Sequence, residues 1–296
     1  MEPLPLAQIT SGPLPGNPEQ KTSPDPPAKR SLAKILSVGL VGVTFLLLKM
    51  KGLLFLVFAK SKWLMVNPLE GFSLAQLAMT GGSMVVTIAA YAMNMGFRFA
   101  LGFVLLTVIH ELGHALVIRA KGLRASAMVF IPFVGGAVTL KDQPTTVFDD
   151  AQIGLAGPIA GTLASFASLF IFEWTGQRLY LAIAFAGFIL NLFNLLPIGP
   201  LDGGRISTAI SRWMWLFGGL ILVYVMITWR SPLLILVLLL GLFQMYKSIR
   251  EPNPKFYSIT AGQRGIIAIV YFGLLFCLGY QSVATHKVLE AMRLGL

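Results

Sequence analysis

Residues 101–120 read LGFVLLTVIHELGHALVIRA, and the polar residues inside this apolar run decide how the chain is to be read. Twenty residues of this composition are long enough to cross a bilayer as a helix, yet they carry two of the chain's three histidines and a glutamate. Ionisable groups at membrane depth are costly and point to function. On a helix, residues four apart are turned by only about 40°, so His110 and His114 project from one face and can hold one zinc ion. Glu111 stands one step round, within reach of a metal-bound water. The metal lowers that water's pKa toward about 7, and the carboxylate takes its proton and later passes it to a leaving amine, which is metalloprotease chemistry. An HExxH pattern in a soluble protein is often no more than two solvated histidines on a surface helix. With only 3 histidines in 296 residues, and this setting, that reading is the weaker. Gly113 either keeps the surface beside the metal open or admits a neighbouring helix.

Outward from this run, the chain is apolar throughout. It has 56% hydrophobic and 12% charged residues and a mean hydropathy of +0.77, where an ordinary globular domain is about a quarter charged. Runs at 31–48, 75–95, 99–118, 150–172, 179–197, 213–229, 232–246 and 264–281 each approach or reach the roughly 20 residues a spanning helix needs. The expectation is an all-α polytopic membrane protein with about 8 transmembrane segments around a three-helix metal-binding core. The shorter segment 52–66 carries Lys60 and Lys62, and either completes a hairpin with 31–48 or lies at the interface. Residues 1–30 hold eight of the 17 prolines and read as a disordered cytoplasmic tail. No small-residue cleavage site stands out after it, so the first span is expected to remain as an anchor. The divisions expected are this tail, N-terminal spans at 31–97, a catalytic core at 98–212 and C-terminal spans at 213–296.

A net charge of +11 suggests nucleic acid in a soluble protein, but here its placement follows the membrane. With the tail inside and 31–66 as a hairpin, fifteen Lys and Arg residues fall on the cytoplasmic side, among them Arg119, Lys121, Arg124, Arg205 and Arg264. Seven fall outside, among them Arg98, Arg178 and Arg230, which is the bias the positive-inside rule expects. No nucleic-acid partner is expected. The single Cys277 excludes an internal disulfide and reads as a packing residue.

Two histidines leave a catalytic zinc site one protein ligand short. The other acids near the apolar runs are Asp149, Asp150, Glu173 and Asp202. Asp149 and Asp150 precede an apolar helix, where capping and the helix dipole account for them. Glu173 sits beside Trp174 at the outer interface. Asp202 lies in NLFNLLPIGPLDGGRI, residues 191–206, at the membrane face that His114 approaches, where Pro197, Gly199, Pro200, Gly203 and Gly204 break the helix. Irregular backbone at that depth is tolerated where it is buried in protein or lines a wet cavity. Asp202 is therefore the candidate third ligand, and the plain alternative is a turn in which it caps the next helix.

HELGH, GLAGPIAG at 154–161 and NLLPIGPLDGG at 194–204 together resemble the site-2 proteases, intramembrane zinc metalloproteases, over about residues 98–212. The resemblance implies His110, His114 and Asp202 as metal ligands, Glu111 as general base, and zinc as the cofactor. It implies as partner, and substrate, a transmembrane segment of another membrane protein, cut near the cytoplasmic face. Asn194 matches a family asparagine that helps stabilise the oxyanion or the bound substrate; a purely structural amide is the alternative. Gly161 stands where many members carry Asn, so a polar role is lost there, and Gly154, Gly157 and Gly161 read as a stripe that lets their helix press on the metal-bearing one. The gaps between spans are too short for an inserted accessory domain.

Residues 124–142, RASAMVFIPFVGGAVTLKD, are too β-rich and interrupted for a spanning helix, and the Gly135-Gly136 pair between apolar stretches signals a small membrane-associated β-hairpin. Such a hairpin either offers an edge strand to an extended substrate or plugs the cytoplasmic mouth. His286, beyond the last run, reads as a solvated tail residue. The tryptophans lie near span ends, as an interfacial belt places them. Two other functions were open at this level: an inactive relative acting as a membrane regulatory protein, which the intact motifs disfavour, and a transporter, which needs a repeat of broken helices that the sequence lacks.

Overall fold

The computed structural model describes residues 73–138, 140–230, 232–250 and 254–294. The expected tail at 1–30, the first span at 31–48 and the segment 52–66 lie outside the described residues. Among the described residues there are eight α-helices and one two-stranded sheet: α1 (Leu74–Met95), α2 (Phe97–Ala120), β1 (Val129–Ile131), β2 (Gly135–Ala137), α3 (Val147–Thr175), α4 (Arg178–Asn194), α5 (Asp202–Ile210), α6 (Met214–Trp229), α7 (Pro232–Arg250) and α8 (Ala261–Leu294).

The helix ends follow local chemistry. Ser73 and Gln76 form a reciprocal capping box that starts α1, and α1 gives way to α2 through Gly96 alone, at φ 82°. Thr146 caps α3 by accepting the Asp149 N–H, so the N-cap is Thr146 rather than the acids that follow it. Four helices, α1, α2, α3 and α8, are long and apolar enough to cross a membrane. The apolar stretches Arg178–Asn194, Met214–Thr228 and Leu234–Lys247, in α4, α6 and α7, are shorter, so the described residues do not present the expected full set of spans. For α4 the reason is local: its apolar run is cut at Asn194, and residues 195–201 leave the helix toward Pro197 and Pro200.

The core places α3 at the centre. Leu155, Leu181, Phe188, Leu195, Ile206 and Tyr271, from α3, α4, the segment after it, α5 and α8, are fully buried in one cluster. On the other side of α3, Ile153 packs with Val117 and Ile118 of α2. The outward faces of α6 and α8 expose Phe217, Leu220, Tyr224, Phe272 and Phe276, an apolar exterior suited to lipid rather than water.

Helix α8 runs 34 residues, about 51 Å at 1.5 Å per residue, well past the run at 264–281. The part read as a solvated tail is therefore helix. Its inner face buries Gln281, Thr285 and Val288, which recur at helical spacing. His286 stacks on Phe185 at 5.5 Å between ring centroids and approaches Glu290 at 3.3 Å.

The hairpin forms as an antiparallel pair with Val129 opposite Ala137, Phe130 opposite Gly136 and Ile131 opposite Gly135. Its turn is not the Gly-Gly pair: Pro132, Phe133 and Val134 make it, with Phe133 at φ 63° and its N–H donated to the Tyr91 hydroxyl. Both glycines lie in β2. The reason is tertiary: a Cβ on Gly136 would come within 2.7 Å of Glu111 Cγ. The outer edge of β1 is sealed by α1, since Ser83 Oγ accepts the Phe130 N–H and Thr87 Oγ1 donates to its carbonyl.

Candidate metal centre

Helix α2 brings His110, Glu111 and His114 to a buried position against α3, each no more than 5% exposed. The close approach of the two helices needs Gly113, where a Cβ would lie 2.8 Å from the Ala160 side chain and press on the Ala156 carbonyl. Gly113 thus admits a neighbouring helix, the second of its two sequence readings. Below the imidazoles, Gly157 leaves the space into which both rings project.

Asp202 arrives from the opposite side as the first residue of α5. The turn that carries it is fixed by three contacts. The buried Tyr271 hydroxyl of α8 donates to the Leu195 carbonyl at 2.7 Å. The Trp215 indole N–H donates to the Gly204 carbonyl at 3.0 Å, so this tryptophan does more than line an interface. Gly203 and Gly204 let residues 195–199 fold directly onto α5, where any Cβ would overlap backbone. Asp202 forms no capping bond; its carboxylate points at the histidines instead, with Oδ2 3.1 Å from His110 Nε2 and Oδ1 3.2 Å from His114 Nε2.

Hydrogen bonding decides what these three groups present. His114 Nδ1 lies 2.7 Å from the Ile153 carbonyl, which only accepts, so Nδ1 carries the proton. Asn191 donates through Nδ2 to the Gly187 carbonyl at 2.7 Å, which leaves its Oδ1, 2.9 Å from His110 Nδ1, to accept a hydrogen bond from that ring's N–H too. Both neutral imidazoles then present bare Nε2 lone pairs, 3.1 Å apart, beside a carboxylate. Three acceptors so close are mutually repulsive unless a cation lies among them. A tetrahedral zinc with bonds of about 2.0–2.2 Å spaces its ligand atoms about 3.3 Å apart, so this donor set fits zinc in type, number and spacing.

Glu111 is beside the cluster and not part of it. Its carboxylate accepts the Val138 N–H at the end of β2 and packs against Gly136. Asn194, on the last turn of α4, is half-buried, one turn beyond the asparagine that reaches His110. Asp149 and Asp150 stand in the first turn of α3 as ion-pair partners, of Lys121 at 2.6 Å and Arg205 at 2.5 Å respectively. Glu173 lies at the far end of α3, remote from the His-His-Asp cluster.

The glycines of α3 do more than the expected stripe against α2. Gly157 faces the imidazoles of α2, but Gly154 faces Ile206 and the Asp202 carbonyl of α5, and Gly161 faces the Asn191 amide of α4. They mark where three neighbours converge on one helix. Asn191 itself went unread in the sequence, because NLFN offers two asparagines three apart and nothing local tells which one faces His110.

A helical membrane chain with a buried His-His-Asp cluster and an adjacent carboxylate has the build of a metallopeptidase. Residues 98–177 and 172–215 match the profile of peptidase family M50. The chain is 31% identical over 135 residues to zinc metalloprotease MJ0392 of Methanocaldococcus jannaschii, covering 43% of this chain and 39% of that protein. It is 32% identical over 123 residues to stage IV sporulation protein FB of Bacillus subtilis, covering 40% and 42%. It is 28% identical over 255 residues to the probable zinc metalloprotease EGY2 of Arabidopsis thaliana, covering 68% and 44%. The chain thus spans less than half the length of these relatives.

Proposed function

We propose that this chain is an intramembrane zinc metalloendopeptidase that hydrolyses a peptide bond in or near a transmembrane segment of another membrane protein. The observation that carries the reading is the donor pattern: two imidazoles locked with Nδ1 protonated turn their Nε2 atoms and Asp202 toward one point, with Glu111 buried alongside. Zinc held by His110, His114 and Asp202 supplies Lewis acidity and a water of lowered pKa. Glu111 takes the proton of the attacking water and delivers it to the leaving amine nitrogen. Asn194 is assigned to the substrate carbonyl as it gains negative charge.

The substrate is held extended along β2. In an antiparallel pair, residues opposite one another direct their N–H and C=O groups the same way, toward or away from the partner. Phe130 turns its pair toward α1, so Gly136 turns its own to the free edge, the edge on which Val138 meets Glu111. A peptide that adds to this edge runs past the general base. The site lies near the cytoplasmic face in this reading. Arg119, Lys121, Arg124, Arg205 and Arg264 cluster at the end of the bundle near the metal ligands, as the positive-inside rule requires of a cytoplasmic end.

The test is to reconstitute the protein in lipid, measure bound zinc, and compare cleavage of a transmembrane peptide by wild type and Glu111→Gln. Zinc bound by both with cleavage lost by about 100-fold or more in the variant supports the reading. Undiminished cleavage in the variant overturns the role of Glu111. Absence of zinc from wild type overturns the metal site, and zinc without cleavage of any membrane peptide leaves a binding protein in place of an enzyme.

A further inference from the structure

Asn191 is completely buried, and every polar atom of its side chain is committed: Nδ2 to the Gly187 carbonyl on its own helix, Oδ1 to His110. The space that holds this amide belongs, sterically, to another residue. A Cβ placed on Gly161 of α3 would stand 2.6 Å from Asn191 Nδ2 and 2.8 Å from its Cγ, with Oδ1 nearer still. Only one side chain, from α3 or from α4, can occupy the slot behind His110. We propose that Asn191 is the positioning residue of His110, and that Gly161 and Asn191 act as a reciprocal pair in which a bare position on α3 lets α4 supply the amide.

The consequence follows from what a ligand needs behind it. A metal-bound imidazole that donates its second N–H is fixed in tautomer and ring orientation, and loss of that partner lowers metal affinity by about 10- to 100-fold. His114 has a backbone carbonyl for this purpose, which no substitution removes. His110 depends on a side chain, so of the two imidazoles it alone has an orienting bond that a substitution can remove. The slot is buried on its other sides, with Leu106 and Ser165 packed at Gly187 and the Ser165 hydroxyl donated to the Gly161 carbonyl, so no broad channel of solvent replaces the amide.

The inference rests on the zinc site proposed above, and its test reads metal rather than activity. Full-length protein in lipid nanodiscs is titrated with zinc against a chelator, and the cobalt(II)-substituted form is examined by visible absorption. Asn191→Leu keeps the volume and removes the acceptor; Asn191→Asp keeps the acceptor. The leucine variant is expected to lose zinc affinity by about 10- to 100-fold with an altered cobalt spectrum, and the aspartate variant to stay within about threefold of wild type. Gly161→Asn alone is expected to weaken zinc by crowding Asn191, and Gly161→Asn combined with Asn191→Gly to recover affinity relative to Asn191→Gly alone. Wild-type affinity and spectrum in Asn191→Leu overturn the positioning role. Additive losses in the double variant overturn the reciprocal pairing. If wild type itself binds no zinc, the zinc reading fails first, and that result is distinct from either.

Discussion

Gly157 of α3 faces His114 of α2 so closely that a methyl group on the glycine would overlap the imidazole Nε2, and that methyl would stand 2.7 Å from His110 Nε2 as well. The obstacle cannot move easily, because Gly157 is on a buried helix and both rings are held from behind by hydrogen bonds. Gly157→Ala is therefore expected to lose zinc almost completely while keeping its helical content. Zinc per chain by elemental analysis, alongside far-ultraviolet circular dichroism, checks this; full occupancy in the variant would mean the rings lie elsewhere when metal is bound.

Asp202 is only as well placed as the helix it begins. Arg205, one turn on, donates through Nε and Nη2 to Asp150 of α3 at 2.9 and 2.5 Å, and so anchors the start of α5 to the central helix. Both side chains are largely shielded, so removing either partner strands a charge as well as freeing the helix. Asp150→Asn and Arg205→Gln are each expected to weaken zinc binding by about tenfold, with Glu111 and the two histidines untouched. Because they disrupt one contact, the double substitution should cost little more than either single one, which a chelator competition series measures.

Much of this site was legible because its chemistry is written in short-range patterns. His110 and His114 share a face at any helical geometry, and the proline and glycine residues around Asp202 announce a break. What escaped depends on packing between elements far apart in sequence. Gly135-Gly136 looks like a turn until Glu111 is placed beside it, at which point Gly136 is required in the strand and the turn moves to 132–134. The α8 extension carries Thr285, His286 and Lys287, polar enough to read as tail, and the burial of Thr285 and Val288 against the bundle is invisible along the chain. The same holds for Asn191, whose partner His110 is 81 residues away.

The loop after α2 carries a pH-dependent tie outside the membrane spans. Arg124 donates to Asp142 from its guanidinium, at 2.6 to 3.1 Å, and from its backbone N–H at 2.7 Å. These bonds hold the Asp142 carboxyl at about 2, below its ordinary 3.8. A carboxyl whose pKa is depressed on folding stabilises the fold above its unfolded pKa, and loses that contribution as pH falls through the folded value. The melting-temperature difference between wild type and Asp142→Asn is thus expected to hold steady from about pH 8 to about pH 5 and to vanish toward about pH 2. Since the pair is exposed, the difference should be small and should shrink in high salt. A difference that grows on acidification would contradict the sign.

The free edge of β2 makes the last prediction, and it has to be tested on the peptide rather than on the protein. Proline at Val138 would remove the N–H that Glu111 accepts, and alanine at Gly136 would push on Glu111 within 2.9 Å of Oε1, so each would impair the base directly. Gly136→Ala is accordingly expected to abolish cleavage with zinc retained, whether or not substrate pairs with the strand. N-methylation of single amides in a cleavable peptide separates the two effects. An edge strand offers hydrogen bonds only to alternate residues, so methyl groups on one parity of amides should block cleavage and those on the other should be tolerated. Activity measured along such a series should alternate with position. Uniform tolerance, or loss at every position, would leave the hairpin as a plug over the site and not as a template for the substrate.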